Sequence, residues 1–83
     1  MDPIARTTKQ VGTAIRRYRR LRSLTQADLG ELMNARQATV SKLEGGQPTT
    51  QLTTLINALT ALDLELTIRP RSKASTTDLE SLF

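Results

Sequence analysis

A mainly α fold is the class this sequence predicts: four to five short helices around one small core, followed by a single strand. Three observations predict it. Apolar residues recur at three- and four-residue steps through Val11, Ala14, Ile15, Tyr18 and Leu21, and again through Leu52, Leu55, Ile56, Leu59 and Leu62, the period of amphipathic helices. Between these stripes, helix signals punctuate the chain, with Thr25 opening one stretch and Gly45-Gly46 and Pro48 closing another. Near the end the period changes, as Leu64, Leu66 and Ile68 alternate with Glu65, Thr67 and Arg69 in the manner of a half-buried strand.

Residues 1–6 carry Pro3 and no periodicity, and read as a loose arm. Thr7 is the expected N-cap of the first helix, with Gln10 closing a capping box. Thr25 caps the second helix, residues 26–33, with Asp28 as a shortened box partner; Ala27, Leu29, Leu32 and Met33 are expected inside, around Gly30. The turn Asn34-Ala35-Arg36 leads to a third helix, residues 37–44, that buries Val40 and Leu43 and stops at Gly45-Gly46, where a left-handed position is expected. Thr49 or Thr50 is expected to cap the fourth helix. The domain thus spans 7–62, the strand 63–70 as far as Pro70, and residues 71–83 form a flexible tail of Ser, Thr and Lys that ends in Asp78-Leu79-Glu80-Ser81-Leu82-Phe83.

Composition narrows the chemistry. The chain has 83 residues, one small domain, with 12 basic against 8 acidic residues and a net charge of +4. Nine of the basic residues lie between Arg6 and Lys42, opposed only by Asp28 and Glu31, so the positive field belongs to the first three helices. Neither cysteine nor histidine occurs, which removes disulfides, thiolate metal sites and the usual general base. No paired carboxylates or glycine-rich phosphate loop replace them, so an enzyme, a metal site and a cofactor are not expected. No apolar run reaches the length of a membrane span and the N-terminus lacks a signal peptide's apolar stretch, so a cytoplasmic protein without membrane contact is expected.

Two short helices joined by a tight turn, Thr25 to Glu44, can be an ordinary helical hairpin or a DNA-reading helix-turn-helix. The residue pattern favours the second. Thr25 and Gln26 stand at the positive end of the second helix, where free backbone N–H groups suit a phosphate oxygen. The third helix opens Arg36-Gln37-Ala38-Thr39, at the end that such a helix presents to base edges. Gln37 can bond adenine in bidentate fashion, and Ala38 and the Thr39 methyl can pack on a thymine methyl. Ser41 and Lys42 extend this polar face by one turn. Of the run Arg16-Arg17-Tyr18-Arg19-Arg20-Leu21-Arg22, Arg16, Arg20 and Arg22 are candidates for phosphate contact together with Arg36, whereas Arg19 is a candidate partner for Glu44 across the fold.

Leu24-Thr25-Gln26-Ala27-Asp28-Leu29 and Gln37-Ala38-Thr39-Val40-Ser41-Lys42-Leu43-Glu44 resemble the lambda-repressor-like (Xre/Cro) helix-turn-helix family. More narrowly, Gln37-Ala38-Thr39-Val40-Ser41, Thr50-Gln51-Leu52-Thr53-Thr54 and Leu62-Asp63-Leu64-Glu65-Leu66-Thr67 resemble the HipB-type antitoxins of toxin–antitoxin operons, a resemblance that covers residues 8–70. The resemblance implies an operator-binding homodimer that represses its own operon and holds a HipA-like kinase toxin. It implies Gln26 on phosphate, Arg36, Gln37, Ala38, Thr39, Ser41 and Lys42 toward the groove, and Arg19–Glu44 as an internal ion pair. Arg36, where Lys or a small polar residue is frequent, Gly30 inside the second helix, and the tail depart from the pattern.

A lone strand has no ladder partner in this chain, and an open edge is a liability. Pairing with the same strand of a second copy resolves it, making Leu64, Leu66 and Ile68 the expected dimer interface and a palindromic operator the expected target. Two alternatives stay open: a stand-alone phage- or plasmid-type repressor without a toxin, and an interaction module working through its apolar tail.

Overall fold

The computed structural model describes residues 3–71. Four helices occupy that span: α1 (Thr8–Leu21), α2 (Gln26–Met33), α3 (Gln37–Glu44) and α4 (Leu52–Ala61). α3 packs against both α1 and α2, and α2 also packs against α4. Ile15, Leu29 and Val40, one each from α1, α2 and α3, are fully buried at the centre. Met33, Leu43, Ala58 and Leu62 complete the core, with Val11, Tyr18, Leu24, Leu55 and Leu59 packed around it.

The helix starts depend on their capping residues. Thr25 Oγ1 accepts the Asp28 N–H at 3.0 Å while an Asp28 carboxylate oxygen accepts the Thr25 N–H at 2.9 Å, so the shortened box closes in full. Thr7 Oγ1 likewise accepts the Gln10 N–H at 3.0 Å, but the Gln10 side chain accepts from the N–H of Arg6, at 2.6 Å, one residue beyond the expected partner. α4 starts at Gln51 without a side-chain cap, so neither Thr49 nor Thr50 plays the role expected of it.

All four helices end alike. Ser23 (φ 57°), Asn34 (φ 56°), Gly46 (φ 80°) and Asp63 (φ 57°) take the left-handed conformation just past the helix. Each returns its N–H to the carbonyl three residues back, and the next N–H returns five residues back, at 2.7 to 3.1 Å. This double closure satisfies the last carbonyls and, at three of the four ends, folds the next side chain onto the core. Leu24, Ala35 and Leu64 are the side chains so folded in, each half-buried against it. Only Gly46 of these four turns was legible as a left-handed position, because the other three accept the cost on ordinary side chains.

Helical periodicity overstated the buried stripes in a core this small. Leu21 is 68% exposed and Leu32 59% exposed, and Ala27 is exposed too. On α4 the inward face is Leu55, Ala58, Leu59 and Leu62, with Leu52 66% and Ile56 40% exposed. No strand is present among the described residues: 64–71 carry no regular hydrogen-bonded structure, and Leu66 and Ile68 are exposed. A ladder needs a second strand, and the described residues of this chain supply none. The tail beyond Arg71, including Asp78–Phe83, and the first two residues of the arm lie outside the described residues. No described helix is long and apolar enough to cross a membrane.

α1 approaches α3 closely at Gly12. A Cβ there would clash with the carbonyl oxygen of Glu44 and lie 2.5 Å from that of Leu43. Neither obstacle can yield, because both are backbone at the end of a helix. Gly12→Ala is therefore expected to destabilise the fold by about 1–3 kcal/mol in urea or thermal unfolding; an unchanged midpoint would show that α1 does not cross α3 this closely.

Candidate nucleic-acid interface

Gly30 sets the angle between the two helices of the motif. A Cβ at that position would stand 2.8 Å from the carbonyl oxygen of Ala35, so the turn can pass over α2 only because no side chain is there. Gly30's own carbonyl accepts the Ala35 N–H at 2.8 Å and holds the turn down. The glycine that departs from the family pattern is thus a close-approach glycine.

The turn delivers α3 with its two faces cleanly divided. Val40, Leu43 and Glu44 are buried. Arg36, Gln37, Ala38, Ser41 and Lys42 are exposed, and Thr39 is half-buried. Arg36 caps α3 by backbone only and leaves its side chain free of a capping bond. Every residue assigned from sequence to base edges therefore lies on the open side of one short helix, or at its margin in the case of Thr39.

Glu44 anchors the far end of that helix. Its side chain is fully buried, and Arg19 meets it in a two-point clamp, Nε to Oε2 at 2.6 Å and Nη2 to Oε1 at 3.0 Å. The third guanidinium nitrogen of Arg19 donates to the Leu24 carbonyl at 2.7 Å. Gln26 Nε2 donates to Glu44 Oε1 at 3.2 Å, and Arg16 Nε stands 3.5 Å from the same oxygen. Burial pushes the Glu44 carboxyl up, but hydrogen bonds from Arg19, Gln26 and Arg16 and the charge of Arg19 outweigh it and hold Glu44 below the usual carboxylate range. Arg19 is raised in turn by its hydrogen bond to Glu44.

This network fixes Gln26 at the mouth of α2. One of its two amide hydrogens is spent on Glu44, which orients the side chain and leaves the other available. The capping box uses the N–H groups of Thr25 and Asp28, so those of Gln26 and Ala27 remain to face outward. The Thr25 hydroxyl accepts within the box and keeps its proton to donate. The Thr25 backbone and side-chain bonds hold Asp28 below the usual carboxylate range, so this acid stays ionised close to that mouth.

The candidate arginines of α1 and its C-cap divide into three groups. Arg16 and Arg19 gather on Glu44, Arg16 keeping 46% of its side chain exposed. Arg20 is exposed on the outer side of α1. Arg22 is turned away from the motif, with its Nη1 3.5 Å from the Ala61 carbonyl at the end of α4. Sequence reading did not assign Gln26 to Glu44 or Arg16 to the same carboxylate. The spacing Arg16, Arg19 on one side of α1 opposite an acid was the available signal.

A family model described as a helix-turn-helix domain matches residues 5–71. No curated protein matches the chain. Among solved structures, the chain is similar to HipB in a "HipB-O4 20mer complex", at 28% identity and a TM-score of 0.78, covering 83% of this chain and 97% of that one. It is similar, at 28% identity and 0.77 with the same coverage, to a chain of the "HipA-HipB-O2-O3 complex". A HipB variant bound to an O2 20mer matches at 30% identity and 0.76, covering 83% and 96%.

Glu44→Ala is expected to cost about 3–5 kcal/mol, because it leaves the Arg19 guanidinium buried without its counter-charge. The depressed carboxyl also sets a pH dependence. Its contribution is fully present above the ordinary Glu value of 4.5 and is lost as pH falls through the lower folded-state value. Stability measured by unfolding from pH 7 to pH 3 should therefore fall at the acid end in the native chain and less steeply in Glu44→Gln; parallel curves would contradict the pairing. By its family match, its fold and its HipB-like structure, the chain belongs to the helix-turn-helix family, on the branch that resembles HipB.

Proposed function

We propose that this protein is a sequence-specific DNA-binding repressor that acts as the antitoxin of a HipBA-type toxin–antitoxin operon, repressing that operon and binding its HipA-like kinase toxin. The observation that carries the DNA half is the polar, acid-free outer face of α3, held rigidly beside the open mouth of α2 by Glu44. Gln37, Ala38, Thr39, Ser41 and Lys42 read base edges in the major groove. Thr25, Gln26, Arg16, Arg20 and Arg36 hold backbone phosphates on either side, so binding weakens steeply with salt. Similarity to HipB in a complex whose description names HipA supports the toxin half.

The acting unit is a homodimer. The turn at Asp63 folds Leu64 onto the core through its N–H bond to the Leu59 carbonyl at 2.7 Å, which fixes the phase of the residues after it. In an extended chain Leu66 and Ile68 then lie on the same side as Leu64. They are 55% and 92% exposed in the single chain, an apolar row with open backbone groups beside it. Pairing with the same segment of a second copy joins one open edge of each strand, brings the two apolar rows together and presents two α3 helices to a palindromic operator.

Gel shifts on duplex from upstream of the protein's own gene should show binding far tighter than to random duplex; equal affinity would overturn the repressor reading. Gln37→Ala should cost about 1–3 kcal/mol and relax preference at one base step in each half-site. Ile68→Lys should shift sedimentation from dimer to monomer with helical content unchanged, and weaken operator binding with it. A dimer that survived this change would place the interface elsewhere.

A further inference from the structure

The outer face of α1 carries more than phosphate contacts require. Arg17 and Arg20 are exposed there and, with Thr13, Arg16 and Leu21, line a shallow cleft of about 480 Å³. Among the described residues no carboxylate pairs with Arg17 or Arg20, since both ion pairs end on Glu44. Leu21 lies beside them, 68% exposed. Two uncompensated guanidinium groups next to an open leucine suit an occupant that offers anionic groups and an apolar side chain together. A bare phosphate backbone satisfies only the first requirement.

The chain carries a segment with both. Asp78-Leu79-Glu80-Ser81-Leu82-Phe83 has two carboxylates, no basic residue and three large apolar side chains. It can also reach. Arg22 Nη1 lies 3.5 Å from the Ala61 carbonyl, so α4 ends beside the end of α1. From Arg22 back to Arg17 is only about 8 Å along the helix. From Ala61 to Asp78 the chain has seventeen residues, which span up to about 56 Å when extended.

We propose that Asp78–Phe83 docks on the arginine face of α1 in its own chain and competes there with DNA phosphates. The docking stands on charge and reach alone, while the competition rests on the DNA-binding reading. A short tether sets an effective concentration on the order of millimolar. Exposed ion pairs are individually weak and screened by salt. The tail therefore occupies the face part of the time and tunes non-specific DNA binding without abolishing it.

The cysteine-free chain permits a direct test. A spin label on Ser81→Cys in isotope-labelled full-length protein, diluted into excess unlabelled protein, reads contacts within one chain only. Amide signals of Thr13–Leu21 should broaden at low salt. The broadening should vanish in high salt, in Arg17→Gln/Arg20→Gln, and when a random-sequence duplex saturates the protein. Unbroadened Thr13–Leu21 signals, or broadening centred on Leu52 and Ile56 of α4, would overturn the docking; broadening that persists on saturated duplex would overturn the competition. In parallel, Asp78→Asn/Glu80→Gln should bind random duplex about 3- to 10-fold tighter at low salt, in keeping with weak tethered competition, and equal affinity would count against it. Failure of the repressor reading is separately legible, because it shows as equal affinity of the native chain for upstream and random duplex, whatever the tail does.

Discussion

The structure depends on the buried pair of Arg19 and Glu44. A carboxylate at the C-terminus of a helix is unfavourable against the helix dipole, and burying it adds a desolvation cost. α3 accepts both because Arg19 meets Glu44 at two points and Gln26 and Arg16 supply further donors. The result is a junction at which α1, α2 and α3 share one side chain. The absence of a Cβ at Gly12 lets α1 reach that junction, and the absence of one at Gly30 lets the turn deliver α3 to it.

An eight-residue helix is too short to persist in water by itself. Its order comes from the three buried residues on its inner side, Val40, Leu43 and Glu44. That division leaves the outer side free of structural duty, so Gln37, Ala38, Ser41 and Lys42 can be whatever a partner requires. The same junction orients Gln26 at the mouth of α2, so a group suited to phosphate and a face suited to base edges are held in fixed relation. Rigidity matters here, since a base contact gains its specificity only when the phosphate contacts have already set the register.

Much of this was legible in the residues alone. The bounds of α2 and α3, the Thr25–Asp28 box and the Arg19–Glu44 pair derive from local capping rules and from one acid standing opposite a basic helix. The illegible part depends on three-dimensional crowding. Leu21, Leu32 and Leu52 fit a helical stripe but lie outside, because a core built around Ile15, Leu29 and Val40 has no room for every apolar side chain at the right period. Ser23, Asn34 and Asp63 turn left-handed without glycine, driven by closure of the helix ends and by the resulting burial of Leu24, Ala35 and Leu64. The Leu64–Ile68 alternation predicts a strand, but none forms among the described residues, because alternation alone does not supply the partner segment that a ladder needs.

Under the proposed function these features serve a two-fold reader with a positive face: α3 in the groove, α2 and α1 on the backbone, and the 64–68 segment joining two copies. Hydroxyl-radical and methylation-interference footprinting of the full-length protein on its upstream DNA tests that geometry most directly. Two protected patches related by a dyad, with interfering purines in major grooves about one helical turn, 34 Å, apart, are the predicted result. A single protected patch, or interference confined to the minor groove, would contradict it.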